Sequence, residues 1–200
     1  YETLQAAVDA VQGSGTIELT SSIALSDQVT IDSGKTIILD MNGETLSIGF
    51  SDSSKNLIVN NGTLTITGDG TFDATEATSY KGFINNYGTL TVENGTFQIA
   101  DKAMTVHLRN QDGGKAVING GTFSGGATIV RSFEGSNTTI TGGSFTNSVY
   151  PAVDVNGETL ITGGIFTNTS CSRCDSQNWG YTVRSGVDND PDAKLTITPS

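Results

Sequence analysis

The chain has 200 residues, of which 35% are hydrophobic, 16% are charged and 25 are glycine, and its formal net charge is −11. This acidic balance argues against nucleic acid and anionic membrane surfaces as partners, because both require a basic face. No run approaches the roughly 20 apolar residues of a membrane-spanning helix. The low content of charged residues also excludes a charge-driven disordered chain, so we expect one folded domain or one repeat array.

One helix is predicted, at the beginning of the sequence. Residues 3–11 read Thr-Leu-Gln-Ala-Ala-Val-Asp-Ala-Val and place Leu4, Val8 and Val11 on one face. A helix this short is not stable alone in water and must pack against another element. We therefore expect residues 1–14 to form a capping helix on the structure that follows.

Short strand signals fill residues 15–61, and a self-similar unit then begins at Gly62-Thr-Leu-Thr-Ile-Thr-Gly-Asp-Gly-Thr-Phe72. In successive copies the central aliphatic residue recurs after 26, 26, 22, 21 and 36 positions, at Ile66, Val92, Ile118, Ile140, Ile161 and Ile197. The closing aromatic residue recurs at Phe72, Phe97, Phe123, Phe145 and Phe166. A period of this length indicates a solenoid, a propeller or another repeat array.

The content of each period favours a solenoid. About three short strand signals and no helical pattern fit into one repeat, whereas a propeller blade needs about 40–45 residues. Alternation sends Leu64 and Ile66 inward and the intervening threonines outward, and glycine pairs supply tight corners. The sequence predicts an all-β fold: a parallel β-helix with coils of about 21–26 residues, in which Ile118 stacks between Val92 and Ile140.

The spacing also divides the chain, which we treat as one β-helix domain. Residues 15–61 form irregular N-terminal coils, residues 62–168 regular coils, residues 169–181 a loop insertion and residues 182–200 a last, incomplete coil. We expect this domain to be a monomeric fragment of a longer, exported protein.

Three stretches resemble the opening of pectate-lyase-like right-handed β-helix domains: residues 3–11, then Gly15-Thr-Ile-Glu-Leu19, then Gly34-Lys-Thr-Ile-Ile-Leu-Asp-Met-Asn-Gly-Glu-Thr-Leu46. The Gly-Thr-Leu-Thr-Ile-Thr-Gly units are similar to the coils of the same domains, so the resemblance covers nearly the whole chain. It implies that the fold is a right-handed parallel β-helix. Such domains are frequent in bacterial cell-surface proteins, which implies a secreted, extracellular location. The superfamily includes polysaccharide lyases, hydrolases, adhesins and sugar-binding modules, and the resemblance therefore does not select one activity.

One outward row carries an unusual concentration of charge. The strand signals place Arg109 (or His107), Arg131, Asp154 and Arg184 on a single wall. A row of guanidinium groups suits a carboxylated or sulfated glycan, because the arginine fork matches a carboxylate through two hydrogen bonds. The alternative is an exposed Arg–Asp–Arg ladder that contributes little to stability.

The loop insertion is the second candidate site. It contains Trp179 and Tyr181, a pair suited to sugar stacking or protein anchoring, although the tryptophan could equally pack the loop onto the wall. It also contains Cys171 and Cys174, which we expect to form a local disulfide in an exported protein. Free thiols remain an alternative, and a metal site would need two further ligands.

No resident cofactor is predicted. An acidic segment contains Asp188, Asp190 and Asp192, which could supply oxygen ligands to calcium. The glycine and bidentate glutamate of an EF-hand loop are missing, and this favours a solvated acidic turn.

These patterns favour a non-catalytic extracellular module for adhesion or recognition, with a glycan or a host surface protein as partner. The alternatives are a polysaccharide lyase or hydrolase of the pectate-lyase-like class and a passive structural stalk. A lyase would need a basic residue beside acidic calcium ligands, and a hydrolase would need paired carboxylates. The sequence shows neither arrangement on its strand signals.

Overall fold

The computed structural model describes residues 1–50, 52–76, 82–100, 105–147, 150–168, 182–185 and 193–198. The whole of the predicted loop insertion, residues 169–181, and the acidic segment at 188–192 lie outside these residues.

The chain begins with a short helix and continues as strands of three to five residues. The helix α1 spans Leu4–Ala10. The first strands are β1 (Ser14–Glu18), β2 (Ile23–Leu25), β3 (Val29–Ile31), β4 (Thr36–Asp40), β5 (Thr45–Ile48), β6 (Asn56–Asn60), β7 (Thr63–Thr67) and β8 (Thr71–Ala74). They are followed by β9 (Gly82–Asn86), β10 (Thr89–Val92), β11 (Thr96–Ile99), β12 (Val106–Asn110), β13 (Lys115–Ile118), β14 (Thr122–Ser124) and β15 (Thr128–Ser132). The last are β16 (Asn137–Ile140), β17 (Ser144–Asn147), β18 (Val153–Val155), β19 (Glu158–Ile161), β20 (Ile165–Asn168), β21 (Val183–Ser185) and β22 (Lys194–Ile197).

Every third strand returns to the same sheet. Across the described residues, sheet A has the order β1-β4-β7-β10-β13-β16-β19-β22, sheet B has the order β2-β5-β8-β11-β14-β17-β20, and sheet C has the order β3-β6-β9-β12-β15-β18-β21. All pairings are parallel and join strands of successive coils. The predicted all-β parallel β-helix is therefore confirmed. Among the described residues, no helix has both the length and the apolar character needed to cross a membrane.

The aliphatic repeat forms the inner row of sheet A. Ile118 pairs in register with Val92 on one side and with Ile140 on the other, as the spacing predicts. Their side chains are buried, with Ile118 at 0% exposure. Ile197 keeps the same register against Ile161 but is 58% exposed, because β22 is the outermost strand of sheet A among the described residues.

The aromatic repeat forms a continuous column inside sheet B. Successive rings of Phe72, Phe97, Phe123, Phe145 and Phe166 stack with centroid distances of 4.7, 4.5, 5.0 and 4.7 Å. The corner before each of the last four rings lies close to that ring: a Cβ atom on Gly143, whose φ is +102°, would sit 3.1 Å from the ring of Phe145. Glycine at this corner therefore satisfies both a left-handed backbone and a close aromatic contact.

A buried polar ladder lines the corner between sheets C and A. The Nδ2 atom of Asn60 donates to Oδ1 of Asn86 at 2.7 Å, and Nδ2 of Asn86 donates to Oδ1 of Asn110 at 2.8 Å. Asn110 continues the chain of bonds to the hydroxyl of Thr138 at 2.9 Å. The same amide groups also donate to backbone carbonyls of the following coil, including that of Thr89. Buried amides are tolerated here because each has partners.

Helix α1 covers the first coil, as predicted. Its apolar face buries Leu4, Ala7 and Val8 against the core. The side-chain amide of Gln5 pairs with strand β3 as a peptide group of a neighbouring strand would. Its Oε1 accepts a hydrogen bond from the backbone N–H of Thr30 at 2.7 Å, and its Nε2 donates to the carbonyl of the same residue at 3.1 Å.

A lysine closes the C-terminal end of α1. The Nζ atom of Lys35 donates to the carbonyls of Val8, Asp9 and Val11 at 2.8, 3.1 and 2.8 Å. The carbonyl of Val8 also accepts the backbone N–H of Val11 at 3.3 Å. The lysine adds a donor at the end of the helix, where carbonyls lack partners four residues on, and its positive charge complements the helix dipole. The second coil thereby anchors the helix to the solenoid.

The register of sheet A can be tested with two adjacent substitutions. Ile118→Asp buries an unpaired carboxylate between two coils, and we expect it to lower the free energy of unfolding by more than about 4 kcal/mol. Val117→Asp is the control, because this neighbouring side chain faces outward and is half-buried. We expect it to cost at most about 1 kcal/mol. Urea unfolding followed by circular dichroism measures both, and equal effects would contradict the assigned register.

Candidate functional site

The outer face of sheet C carries the predicted row of charged residues. Arg109 of β12 pairs in register with Arg131 of β15, Arg131 with Asp154 of β18, and Asp154 with Arg184 of β21. Asn85 of β9 extends the row by one coil on the side of Arg109. The strand pairing therefore fixes one polar side chain per coil along the solenoid axis.

Asp154 joins two of the arginines. Its Oδ1 accepts hydrogen bonds from Nε and Nη2 of Arg184 at 3.2 and 3.1 Å, and its Oδ2 lies 3.6 Å from Nε of Arg131. The exposed fraction of the side chain is 6% for Asp154, 17% for Arg184 and 32% for Arg131. The exposed ladder considered as the alternative is thus a partly buried one, and water screens it less than a surface pair.

Arg109 differs from its neighbours in the row. No carboxylate of the described residues lies within ion-pair distance of it. Its guanidinium group instead lies 5.0 Å from the ring centroid of Phe133, and the guanidinium of Arg131 lies 5.1 Å from the same ring. Burial lowers the pKa of Arg109 from its usual value, and the positive charge of Arg131 lowers it further, while Tyr87 acts in the opposite direction.

The backbone makes room for this arrangement. A Cβ atom on Gly82 would lie 3.1 Å from Cδ of Arg109. Glycine in the preceding coil therefore leaves room for the aliphatic stem of Arg109 to pack closely against the backbone.

A second row runs beside the first, at the corner where sheet C ends. The backbone N–H groups of Tyr87, Gln111, Phe133 and Asn156 each donate to the carbonyl at the end of the strand in the preceding coil, so the four residues occupy equivalent positions. Nε2 of Gln111 donates to Oδ1 of Asn85 at 2.5 Å, and Nδ2 of Asn85 donates to the hydroxyl of Tyr87 at 3.3 Å.

These two rows define the arginine–aromatic patch, which consists of Asn85, Tyr87, Arg109, Arg131 and Phe133. Tyr87 is 48% exposed. Neither aromatic residue belongs to the sites that the sequence predicts. The available signal was their position directly after the polar residue that ends each sheet C strand, in Asn86-Tyr87 and Ser132-Phe133.

The placement of His107 as an alternative to Arg109 in the outward row was wrong. The side chain of His107 is 1% exposed and its ring lies 5.4 Å from that of Phe83 and 5.9 Å from that of Phe123. Both His107 and Leu108 are buried, so strict alternation fails where the chain enters sheet C. The register reflects this irregularity, because the paired positions step from Val106 directly to Leu108.

Several predicted site residues lie outside the described part of the chain. They are Cys171, Cys174, Trp179, Tyr181, Asp188, Asp190 and Asp192. The disulfide, the aromatic loop and the calcium alternative therefore stay predictions. Among the residues that the structure does describe, no three His, Cys, Asp or Glu side chains are grouped so that they could hold a metal ion.

Acidic side chains border the patch. Glu134 follows Phe133 directly and is exposed. It lines an open cavity of about 680 Å³ together with Asp112, Asn156 and Glu158. Glu158 is paired with Lys194 at 2.9 Å.

Comparisons of the chain with protein-family models, with curated proteins and with solved structures gave no match. We therefore infer a function from the geometry of the site and from the repeated sequence units of the coils.

The buried histidine should make stability depend on pH. Burial lowers the pKa of His107 from 6.5 to about 4 in the folded protein. Its Nε2 faces the carbonyl of Gly125 at 3.2 Å, and its buried Nδ1 has no hydrogen-bond partner among the described residues. The folded state therefore keeps the ring neutral, whereas the unfolded chain protonates it below its ordinary pKa.

We expect the contribution of neutral His107 to the free energy of unfolding to be fully present above pH 6.5. It should be lost progressively as the pH falls towards about 4. The total is on the order of 3 kcal/mol. The control variant is His107→Leu, which removes the titrating ring. Leucine suits this buried position because Leu57 occupies the corresponding position two coils away. Urea unfolding at pH 7.5 and at pH 5 should show a smaller difference for the variant, and an equal difference would contradict the assignment.

Proposed function

We propose that this chain is a non-catalytic recognition module that binds an anionic glycan through the arginine–aromatic patch. The observation that carries the proposal is the state of Arg109. It is a half-buried guanidinium that stacks on Phe133, lies next to a second guanidinium and has no carboxylate partner among the described residues.

An anion would relieve the electrostatic cost of this arrangement. Two neighbouring guanidinium groups repel each other, and partial burial reduces the screening by water. A carboxylate or sulfate placed between Arg109 and Arg131 would accept charge-assisted hydrogen bonds from both. Stacking on Phe133 holds the two forks in place, so little side-chain entropy remains to be lost on binding.

The surroundings of the arginines favour a sugar over other anions. The exposed ring of Tyr87 offers an apolar face with a polar edge, which suits the faces of a pyranose ring. The amides of Asn85 and Gln111 supply further donors and acceptors for hydroxyl groups. The patch runs along the outer face of sheet C, so part of a long polymer bound to it would lie parallel to the solenoid axis.

The wider setting is part of the proposal. The sequence units resemble those of pectate-lyase-like surface domains, and this resemblance supports an extracellular role at a bacterial surface. Many copies on one surface would strengthen a weak individual site through multivalency.

The proposal is tested by measuring binding to an array of acidic and neutral oligosaccharides, with affinities determined by calorimetry. We expect binding to acidic members only, with weaker binding as salt increases. Arg109→Gln should reduce affinity about tenfold or more, because a charge-assisted hydrogen bond is lost. Lys115→Gln is the matched control, since it removes the same charge from an exposed position on sheet A and should leave affinity unchanged.

Three results would contradict the proposal. Release of reducing ends or unsaturated products from a polyuronate would support the enzyme alternative. Absence of binding to every acidic glycan would support a passive stalk. Equal binding to poly-L-glutamate would show that the patch recognises anionic polymers, including acidic proteins, without selecting sugars.

A further inference from the structure

We propose further that the patch selects a glycan in which acidic and neutral sugar units alternate, laid along the solenoid axis. The acidic group binds between Arg109 and Arg131, and the neighbouring neutral ring packs on Tyr87. This inference rests on the proposed function and adds a specificity that follows from the order of charges along sheet C.

The order of charges along the row isolates one anionic subsite at two adjacent cations. In register order the outward residues are Asn85, Arg109, Arg131, Asp154 and Arg184. The two adjacent cations are therefore followed on one side by a neutral amide and on the other by a carboxylate. Beyond that carboxylate, Arg184 already donates two hydrogen bonds to Asp154.

A continuous polyanion would meet unfavourable positions on both sides of this subsite. A second acidic group above Asp154 would lie next to a carboxylate whose side chain is only 6% exposed, where screening by water is weak. A second acidic group on the other side would lie above Asn85 and Tyr87, which carry no positive charge. The exposed carboxylate of Glu134 adds a further negative charge beside Phe133.

The spacing of the coils fits successive sugar units. Neighbouring parallel strands lie about 4.8 Å apart, which is close to the length that one pyranose contributes to an extended chain. Tyr87 occupies the corner position one coil before Gln111 and two coils before Phe133. A chain along the axis can therefore place one unit over Tyr87 while the next unit extends its acidic group to the arginines.

Tyr87 is held ready for this contact. Its hydroxyl accepts a hydrogen bond from Asn85, and Asn85 in turn accepts one from Gln111, so Tyr87 is connected through Asn85 to the next coil. The ring remains 48% exposed in this arrangement. It therefore presents a flat apolar surface at low entropic cost, next to the anionic subsite.

The experiment compares two defined ligands of equal length by calorimetry. Hyaluronan hexasaccharide alternates glucuronate with a neutral N-acetylhexosamine, whereas hexagalacturonate carries a carboxylate on every unit. We expect hyaluronan hexasaccharide to bind about fivefold more tightly or better, although it has half as many carboxylates, because the flanking positions oppose the additional charges.

Two substitutions of Tyr87 provide the matched variants. Tyr87→Ala should reduce the affinity for hyaluronan hexasaccharide about fivefold or more through loss of the stacked ring. Tyr87→Phe keeps the ring and should retain most of the affinity. Thermal unfolding of both variants checks that the fold is intact, as expected for an exposed side chain.

The outcomes separate this inference from the proposed function. Equal or tighter binding of hexagalacturonate, or binding of other acidic glycans without hyaluronan, would overturn the alternating specificity and leave an anionic glycan site. Equal affinity of Tyr87→Ala and the unsubstituted protein would show that no neutral sugar unit stacks on Tyr87. If no acidic glycan binds at all, the proposed function fails and this inference fails with it.

Discussion

In-register parallel pairing between successive coils is the constraint on which the rest of the structure depends. It places each side chain directly above its counterpart in the preceding coil, so any property of one position becomes a property of a row. Phenylalanines thus form a column of rings 4.5–5.0 Å apart, and asparagines form a chain of buried amide hydrogen bonds. The same rule brings Arg109, Arg131, Asp154 and Arg184 into contact range.

The sequence predicts the regular part of this pattern well. The recurrence of Ile66, Val92 and Ile118 determines both the coil length and the inward face, because one buried row can only form if the spacing matches a complete turn. The register of the arginine row follows from the same argument. The capping helix is also predicted, since its apolar face has no partner other than the first coil.

The corners are where sequence reasoning fails. Alternation along the strand would place His107 on the outer face. The chain enters sheet C at that point and buries both His107 and Leu108, so the alternation does not hold there. The ladder through Asn60, Asn86 and Asn110 is missed for a related reason: buried asparagine contradicts hydropathy unless its partners one coil away are known. Tyr87 and Phe133 belong to the candidate site only through their neighbours in adjacent coils. The local signal, an aromatic residue directly after the polar residue that ends a sheet C strand, does not identify those neighbours.

Overall charge and local charge have opposite effects on the proposed ligand. A chain with a net charge of −11 repels an anionic polymer at long range. At physiological ionic strength this repulsion fades beyond about 8 Å. Recognition by the arginine–aromatic patch would therefore depend on short-range contact, and association would not be accelerated by electrostatic steering.

The contact between Gln5 and Thr30 has a consequence for the first coil as an exposed surface. Strand β3 lies at the edge of sheet C among the described residues, and an open edge can template the addition of a strand from another molecule. A side-chain amide has the same kind of donor and acceptor as a peptide group. Here the amide of Gln5 is hydrogen-bonded to both the backbone N–H and the backbone carbonyl of Thr30 in this edge strand. The side-chain amide of Gln5 thus takes the place of a backbone peptide group at this edge of sheet C. It protects the Thr30 amide from exchange with solvent and blocks edge-to-edge association at that position.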